Sequence, residues 1–186
     1  MADFTLSSGS VCRLHRTPWG ATQTRSFGCS TGVSSATIHA GRPVTLDYAE
    51  AGNTSNAAFV KASTADNTFY LVGIAAETVS GSTAVAGTAL SVWEANPLVE
   101  FKAVTKAGTL QSSQVGLTKT LHWDSTLAIA YVDLSASTAT DHRVVVTQLI
   151  DAQGDSGGYV AFRFISDARS QGSTVNSSTP FLAFYR

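Results

Sequence analysis

The sequence predicts an all-β protein: two small β-barrel or sandwich modules preceded by an extended N-terminal arm. Short runs rich in Val, Ile, Thr and aromatic residues recur along the chain, each bounded by Gly, Pro, Asn or Ser. No helical spacing of apolar residues is sustained, and the strong helix formers Leu, Glu and Lys are sparse. Charged residues make up 13% of the chain, against about 25% in an ordinary soluble domain, while 44% are apolar. The remaining surface is therefore largely small and hydroxylic, which suits β-modules packed into an assembly.

The stretch 36–77 sets the pattern. Residues 36–40 are strand-like, and Gly41-Arg42-Pro43 turns the chain. Residues 44–48 alternate, with Val44, Leu46 and Tyr48 on one face. Gly52-Asn53 marks a second turn, and residues 58–61 make a short strand. Residues 69–75 are nearly continuously apolar, as in a strand covered on both faces. The first module is expected over 34–95, closing with a strand over 88–93 and a linker at Ala95-Asn96-Pro97.

The second module is expected over 96–186. Residues 98–105 alternate, and Lys106-Ala107-Gly108 turns the chain. The segment 110–117 is mainly polar. Residues 126–134 and 142–150 carry the densest Val and Ile and are the strongest strand candidates. Residues 159–165 alternate, 166–180 are a Ser-rich loop, and 181–186 are expected as an edge strand. No exact internal repeat is evident.

Residues 1–33 differ. Arg13, Arg16 and Arg25 stand against one acid, Asp3, and five glycines or prolines break any alternation. Phe4, Leu14, Trp19 and Phe27 are too apolar for a free tail. An extended arm lying on a neighbouring surface is expected. Arg13, Arg16, Trp19, Arg25 and Phe27 are its partner contacts, since Trp and Arg are good interface anchors. The alternative is that this segment adds an edge strand to its own domain.

Several function classes are disfavoured. Net charge is −1, so no overall field attracts nucleic acid. No apolar run reaches the roughly 18 residues of a membrane span. Residues 1–30 show no apolar core behind a basic start, so no secretory signal is expected and synthesis is placed in a cytoplasm. Cys12 and Cys29 are the only cysteines, expected as free structural thiols in that compartment, with a disulfide as the alternative. His15, His39, His122 and His142 have no His or Cys neighbour at ligand spacing, so no metal or other cofactor is expected. Glu50, Glu77, Glu94 and Glu100 are scattered and read as solvated surface. Trp93 and Trp123 lie in strand-like contexts and are expected in core or inter-module packing.

One motif points to catalysis. Gly154-Asp155-Ser156-Gly157-Gly158 resembles the nucleophile loop of trypsin-like serine peptidases, whose glycines free backbone N–H groups for an oxyanion hole. Such an enzyme also needs a histidine base and an orienting carboxylate, and none of the four histidines sits in that family's context. A glycine-rich hairpin turn between Ile150 and Tyr159 is the expectation, with no catalytic residue assigned.

The organising stretch also resembles the accessory capsid (decoration or cement) proteins of tailed bacteriophages. The matching pieces are Ala40-Gly41, the short strand 44–47, the Val-Lys-Ala-Ser of 60–63 and the Val-Gly-Ile-Ala of 72–75. The resemblance implies a non-enzymatic protein on the exterior of a virion, binding the major capsid protein and commonly trimeric. A head-fibre or receptor-binding protein is a further alternative.

Overall fold

In a computed structural model, residues 12–17, 24–29, 37–46, 59–62, 71–80, 88–95, 98–106, 108–135 and 142–164 are described. They form eleven strands and no α-helix: β1 (Arg13–Arg16), β2 (Thr24–Cys29), β3 (Pro43–Leu46), β4 (Phe59–Ala62), β5 (Leu71–Ala75), β6 (Ala89–Glu94), β7 (Glu100–Lys106), β8 (Thr118–Asp124), β9 (Ile129–Asp133), β10 (His142–Leu149) and β11 (Tyr159–Phe164). The all-β expectation holds. The expected terminal strand at 181–186 lies outside the described residues.

Strands β2, β4, β3, β5 and β6 close into a first barrel. The second sheet runs β1-β7-β11-β10-β8-β9, and an additional parallel pairing joins β9 back to β7. Five of its six strands therefore also form a ring, with β1 added on β7. A closed ring pairs the backbone groups that an open edge would leave for water or another chain.

The two rings are the same structure twice. In each, the first strand pairs parallel with the third, and every other pairing is antiparallel, in the order first, third, second, fourth, fifth. The registers agree as well. Gly28 faces Phe59 and Ala89, and Val104 faces Tyr131 and Tyr159. Ala75 faces Val92, and Val146 faces Phe162. Leu46 faces Val60, and Leu121 faces Val132. The turn into the second strand is repeated too. Gly41 and Gly116 both have φ of 84°, a conformation that costs a side-chain-bearing residue energy and glycine little. Gly41 N–H donates to Ala75 O and Gly116 N–H to Val146 O, both at 2.8 Å, while Arg42 and Leu117 N–H close the turns onto His39 O and Gln114 O, both at 3.1 Å.

Equivalent positions fill the two interiors differently. Phe101, Phe162 and Phe164 meet in the second barrel, with Phe101 to Phe164 edge-on at 5.4 Å. The register places Arg25, Val92 and Glu94 at those positions in the first barrel, where Arg25 Nη1 and Glu94 Oε1 pair at 3.2 Å. The second-strand threonines are shared: Thr45 and Thr120 are both fully buried, and neither Oγ1 has a hydrogen-bond partner.

The expected arm over 1–33 and the boundary at 33 need correction where residues are described. Residues 13–16 are β1, paired with β7 of the second barrel. Residues 24–29 are β2, a wall of the first barrel between β6 and β4. The sequence hides both strands for physical reasons. β1 is short and its register shifts between Leu14 and Arg16, whereas β2 buries side chains only from Phe27 onward.

An unpartnered buried hydroxyl carries a desolvation cost that no bond returns. Thr45→Val and Thr120→Val should each leave stability unchanged or raise it by about 1 kcal/mol. Thermal melting should show a rise of about 2–4 °C for each such gain in a chain of this size. A drop of similar size would mean that the hydroxyls are bonded.

Candidate interaction surfaces

Of the five residues expected to contact a partner, the four described ones are divided between two strands of different sheets, Arg13 and Arg16 on β1 and Arg25 and Phe27 on β2. Arg13 and Arg16 lie on β1, both exposed. β1 reaches its place because Leu14 packs opposite Phe101 on the larger apolar core, which also contains Cys12. Arg16 Nε is 3.8 Å from Glu100 Oε2, and Arg163 Nη2 donates to Glu100 Oε1 at 3.1 Å. Two guanidinium groups thus neutralise a carboxylate that is only 6% exposed, where an unpaired charge would be costly. Arg25 lies over the Phe27 ring at 5.2 Å and pairs with Glu94. Arg16 and Arg25 therefore have carboxylate partners within the chain, where the sequence reading reserves them for a neighbour. Phe27 is a further correction: it is buried in the first barrel with Val44, Leu90 and Val92. Trp19 lies outside the described residues.

Two other surfaces emerge. The first joins the barrels. The turn at 39–42 of the first barrel embraces Trp123 on β8 of the second: the His39 ring stacks on it at 6.1 Å, and the Arg42 guanidinium lies over it at 4.9 Å. Burial pulls the Arg42 pKa down. Leu71, Ile74 and Ala95 extend the same junction by joining the core cluster of the second barrel, with Trp93 packed against it. The expectation that Trp93 and Trp123 serve packing agrees with these contacts.

The second lies on the outer wall of the second barrel. Val104 and Ile129 are covered by Leu127, Tyr131 and Tyr159. Lys106 lies over Tyr131 at 5.0 Å and Lys102 over Tyr159 at 5.9 Å, with His122 stacked on Tyr131 at 5.5 Å. Such cation–aromatic contacts contribute about 0.5–1 kcal/mol at exposed sites. Each ring is satisfied by its own chain, so this wall reads as local packing.

The Gly154–Gly158 motif closes the end of the second barrel. Thr109 and Ser156 form an isolated bridge, Leu110 N–H donates to Asp155 O at 2.9 Å, and Gly154 N–H donates to Leu110 O at 2.8 Å. The fully buried Leu110 side chain plugs the barrel end. Gly158 makes room for it: a Cβ there would stand 2.7 Å from Leu110 Cδ1. In the first barrel, Ile38 bridged to Val79 holds the corresponding place. Ser156 is brought to none of the four histidines. His142 opens β10 opposite Leu121, beside His122, whereas Ser156 lies beyond the other end of that strand. A strand of this length spans about 25 Å at roughly 3.3 Å per residue. His39 stacks on Trp123, and His15 lies on β1. A general base must stand within hydrogen-bond reach of its nucleophile.

Cys12 and Cys29 are free and buried in different cores, so the disulfide alternative is set aside. Burial pushes both thiols up, with Glu77 adding to the effect at Cys29. Among the described residues no cluster of His, Cys, Asp or Glu could hold a metal ion, and no helix is long and apolar enough to cross a membrane.

Gly158→Ala should destabilise the protein by about 1–3 kcal/mol, the usual cost of overpacking, with the loss read in denaturant unfolding. Ser156→Ala, at an exposed position in the same turn, should stay within about 0.5 kcal/mol. Equal effects would refute the plug. No family model matches this chain, and neither the curated proteins nor the solved structures include a match.

Proposed function

We propose that this protein is an accessory capsid protein that binds the outside of an assembled phage head and stiffens it, without performing chemistry. Support comes from a surface short of charge, two closed barrels in tandem, and the resemblance of residues 36–77 to decoration proteins. The observation that favours adhesion by backbone pairing is β1. One of its edges is bonded to β7, and among the described residues no strand covers the other. An extended segment of a capsid subunit could add there by main-chain hydrogen bonds, with exposed Arg13 supplying charge. The major capsid protein is the proposed partner, and a homotrimer on the virion exterior the proposed state.

Capsids stripped of this protein provide the test. Arg13→Glu should fold normally yet bind such capsids at least tenfold more weakly, or about 1.4 kcal/mol. The difference should shrink in added salt, because Arg13 is exposed. Full-strength binding by Arg13→Glu would remove β1 from the interface, and no binding by the unmodified protein would end the capsid reading.

A further inference from the structure

The cations of the second barrel are unevenly placed. Arg13 stands directly opposite Lys102 in the β1–β7 register. Glu100, two residues before Lys102 and on the same face of β7, is shared by Arg16 at 3.8 Å and Arg163 at 3.1 Å. Four cations on this outer face thus meet one carboxylate, and no other acid pairs with them among the described residues. The cations described elsewhere are each held within the chain. Arg25 has Glu94, Lys106 has Asp124, Lys119 donates to the Leu134 carbonyl, and Arg42 lies over the Trp123 ring. Arg13 is exposed with no ion pair among the described residues, and Lys102 has the Tyr159 ring at 5.9 Å. Like charges directly opposite on neighbouring strands are destabilising. This local surplus of positive charge sits in a chain whose net charge is −1.

The surplus lies along an edge that can accept a strand. β1 bonds to β7 on one side, and among the described residues no strand pairs with the other. A strand added there brings its side chains to about 4.5–5.5 Å, Cβ to Cβ, from those of β1. On the outer face they come beside Arg13 and Arg16. On the inner face they come beside Leu14, which is partly buried, opposite Phe101, and packed on the larger core. We propose that the open edge of β1 receives an extended protein segment that alternates acidic and apolar side chains, its carboxylates beside Arg13 and Arg16 and its apolar residue beside Leu14. A carboxylate in that row offsets the repulsion between Arg13 and Lys102, and an apolar neighbour extends the cover over Leu14. A protein segment fits this edge better than a nucleic acid does, because the edge offers main-chain donors and acceptors at strand spacing, which a phosphodiester backbone does not match. The inference rests on the reading of β1 as a docking edge and adds the chemistry that the partner must carry.

The full chain and a fluorescent heptapeptide of alternating glutamate and valine test it, with a glutamine-for-glutamate peptide as the neutral control. In anisotropy titrations at low salt the acidic peptide should bind at least roughly tenfold more tightly than the neutral one. Added salt should narrow that margin, since the cations are at the surface. Lys102→Glu gives Arg13 a carboxylate in register within the chain. It should leave the melting temperature unchanged or higher and abolish the margin, which a purely structural role for Lys102 would not do. Arg13→Gln should abolish the margin as well, with folding intact. Methylating the valine nitrogens of the acidic peptide removes strand donors and keeps every charge, and should weaken binding at least roughly tenfold. The inference is overturned if neither peptide binds, if both bind alike, or if the margin survives both substitutions. It is equally overturned if the methylated peptide binds as well, or if a single-stranded DNA oligonucleotide of equal charge displaces the peptide, because the patch then reads charge alone. Acid preference in a protein that binds no capsid upholds the inference and ends the capsid reading. Capsid binding without acid preference overturns the inference and leaves the capsid reading standing.

Discussion

Each barrel depends on one short parallel pairing. Gly28 and Cys29 against Phe59 and Val60 close the first ring, and residues 104–106 against 131–133 close the second. Antiparallel neighbours alone would leave two open edges per module. The parallel contact removes them, and the interior it encloses becomes dry enough for Leu90, Val92, Phe101 and Phe162 to be fully buried. Because the pairing uses only the later residues of the first strand, the earlier residues keep one side unbonded. In the second barrel β1 fills that side at residues 100–102. In the first barrel the equivalent residues, Thr24, Arg25 and Ser26, stay exposed.

That difference accounts for how the two barrels differ inside. Covered by β1, the start of β7 supports an aromatic cluster of Phe101, Phe162 and Phe164, which water does not reach. Uncovered, the start of β2 carries Arg25 paired with Glu94, an arrangement that tolerates water. Glu100 shows the intermediate case. It lies at the rim beneath β1, and its burial is tolerated because Arg16 and Arg163 both reach it. The same backbone frame thus accepts an apolar or a charged end according to what packs over it.

The barrel ends follow a related logic. Ile38 and Leu110 are both fully buried and held by the loop between the fourth and fifth strands of their barrels, Ile38 through its bridge to Val79 and Leu110 through backbone hydrogen bonds with Gly154 and Asp155. The glycines of the Gly154–Gly158 motif serve that plug through backbone conformation and space. The Gly158 of a motif that resembles a catalytic loop by residue type makes room here for Leu110 beneath a tight turn. A serine in a glycine-rich loop gains nucleophilic character only from a base beside it, and β10 holds His142 at the opposite end.

The sequence by itself determined the class of structure and much of its local detail. Alternation and β-branched runs located β3 to β7 and β9 to β11 to within a few residues, because those strands carry short apolar and β-branched runs bounded by turn residues. It missed β8, where Thr118, Lys119 and Thr120 look polar although Thr120 is buried, and it began β9 early, across the turn in which Ala128 takes φ of 54°. What the tertiary structure decided was everything that depends on distant partners. β1 and β2 look like a broken arm until β7 and β6 supply their hydrogen bonds. The repeated strand order is invisible in the residues because register is a property of backbone pairing, and pairing constrains side chains only to be inward or outward. Gly41 with Gly116, Thr45 with Thr120, Leu46 with Leu121 and Val60 with Val132 remain alike. Elsewhere the two barrels fill one frame with different side chains, since burial selects for volume and polarity and leaves identity free.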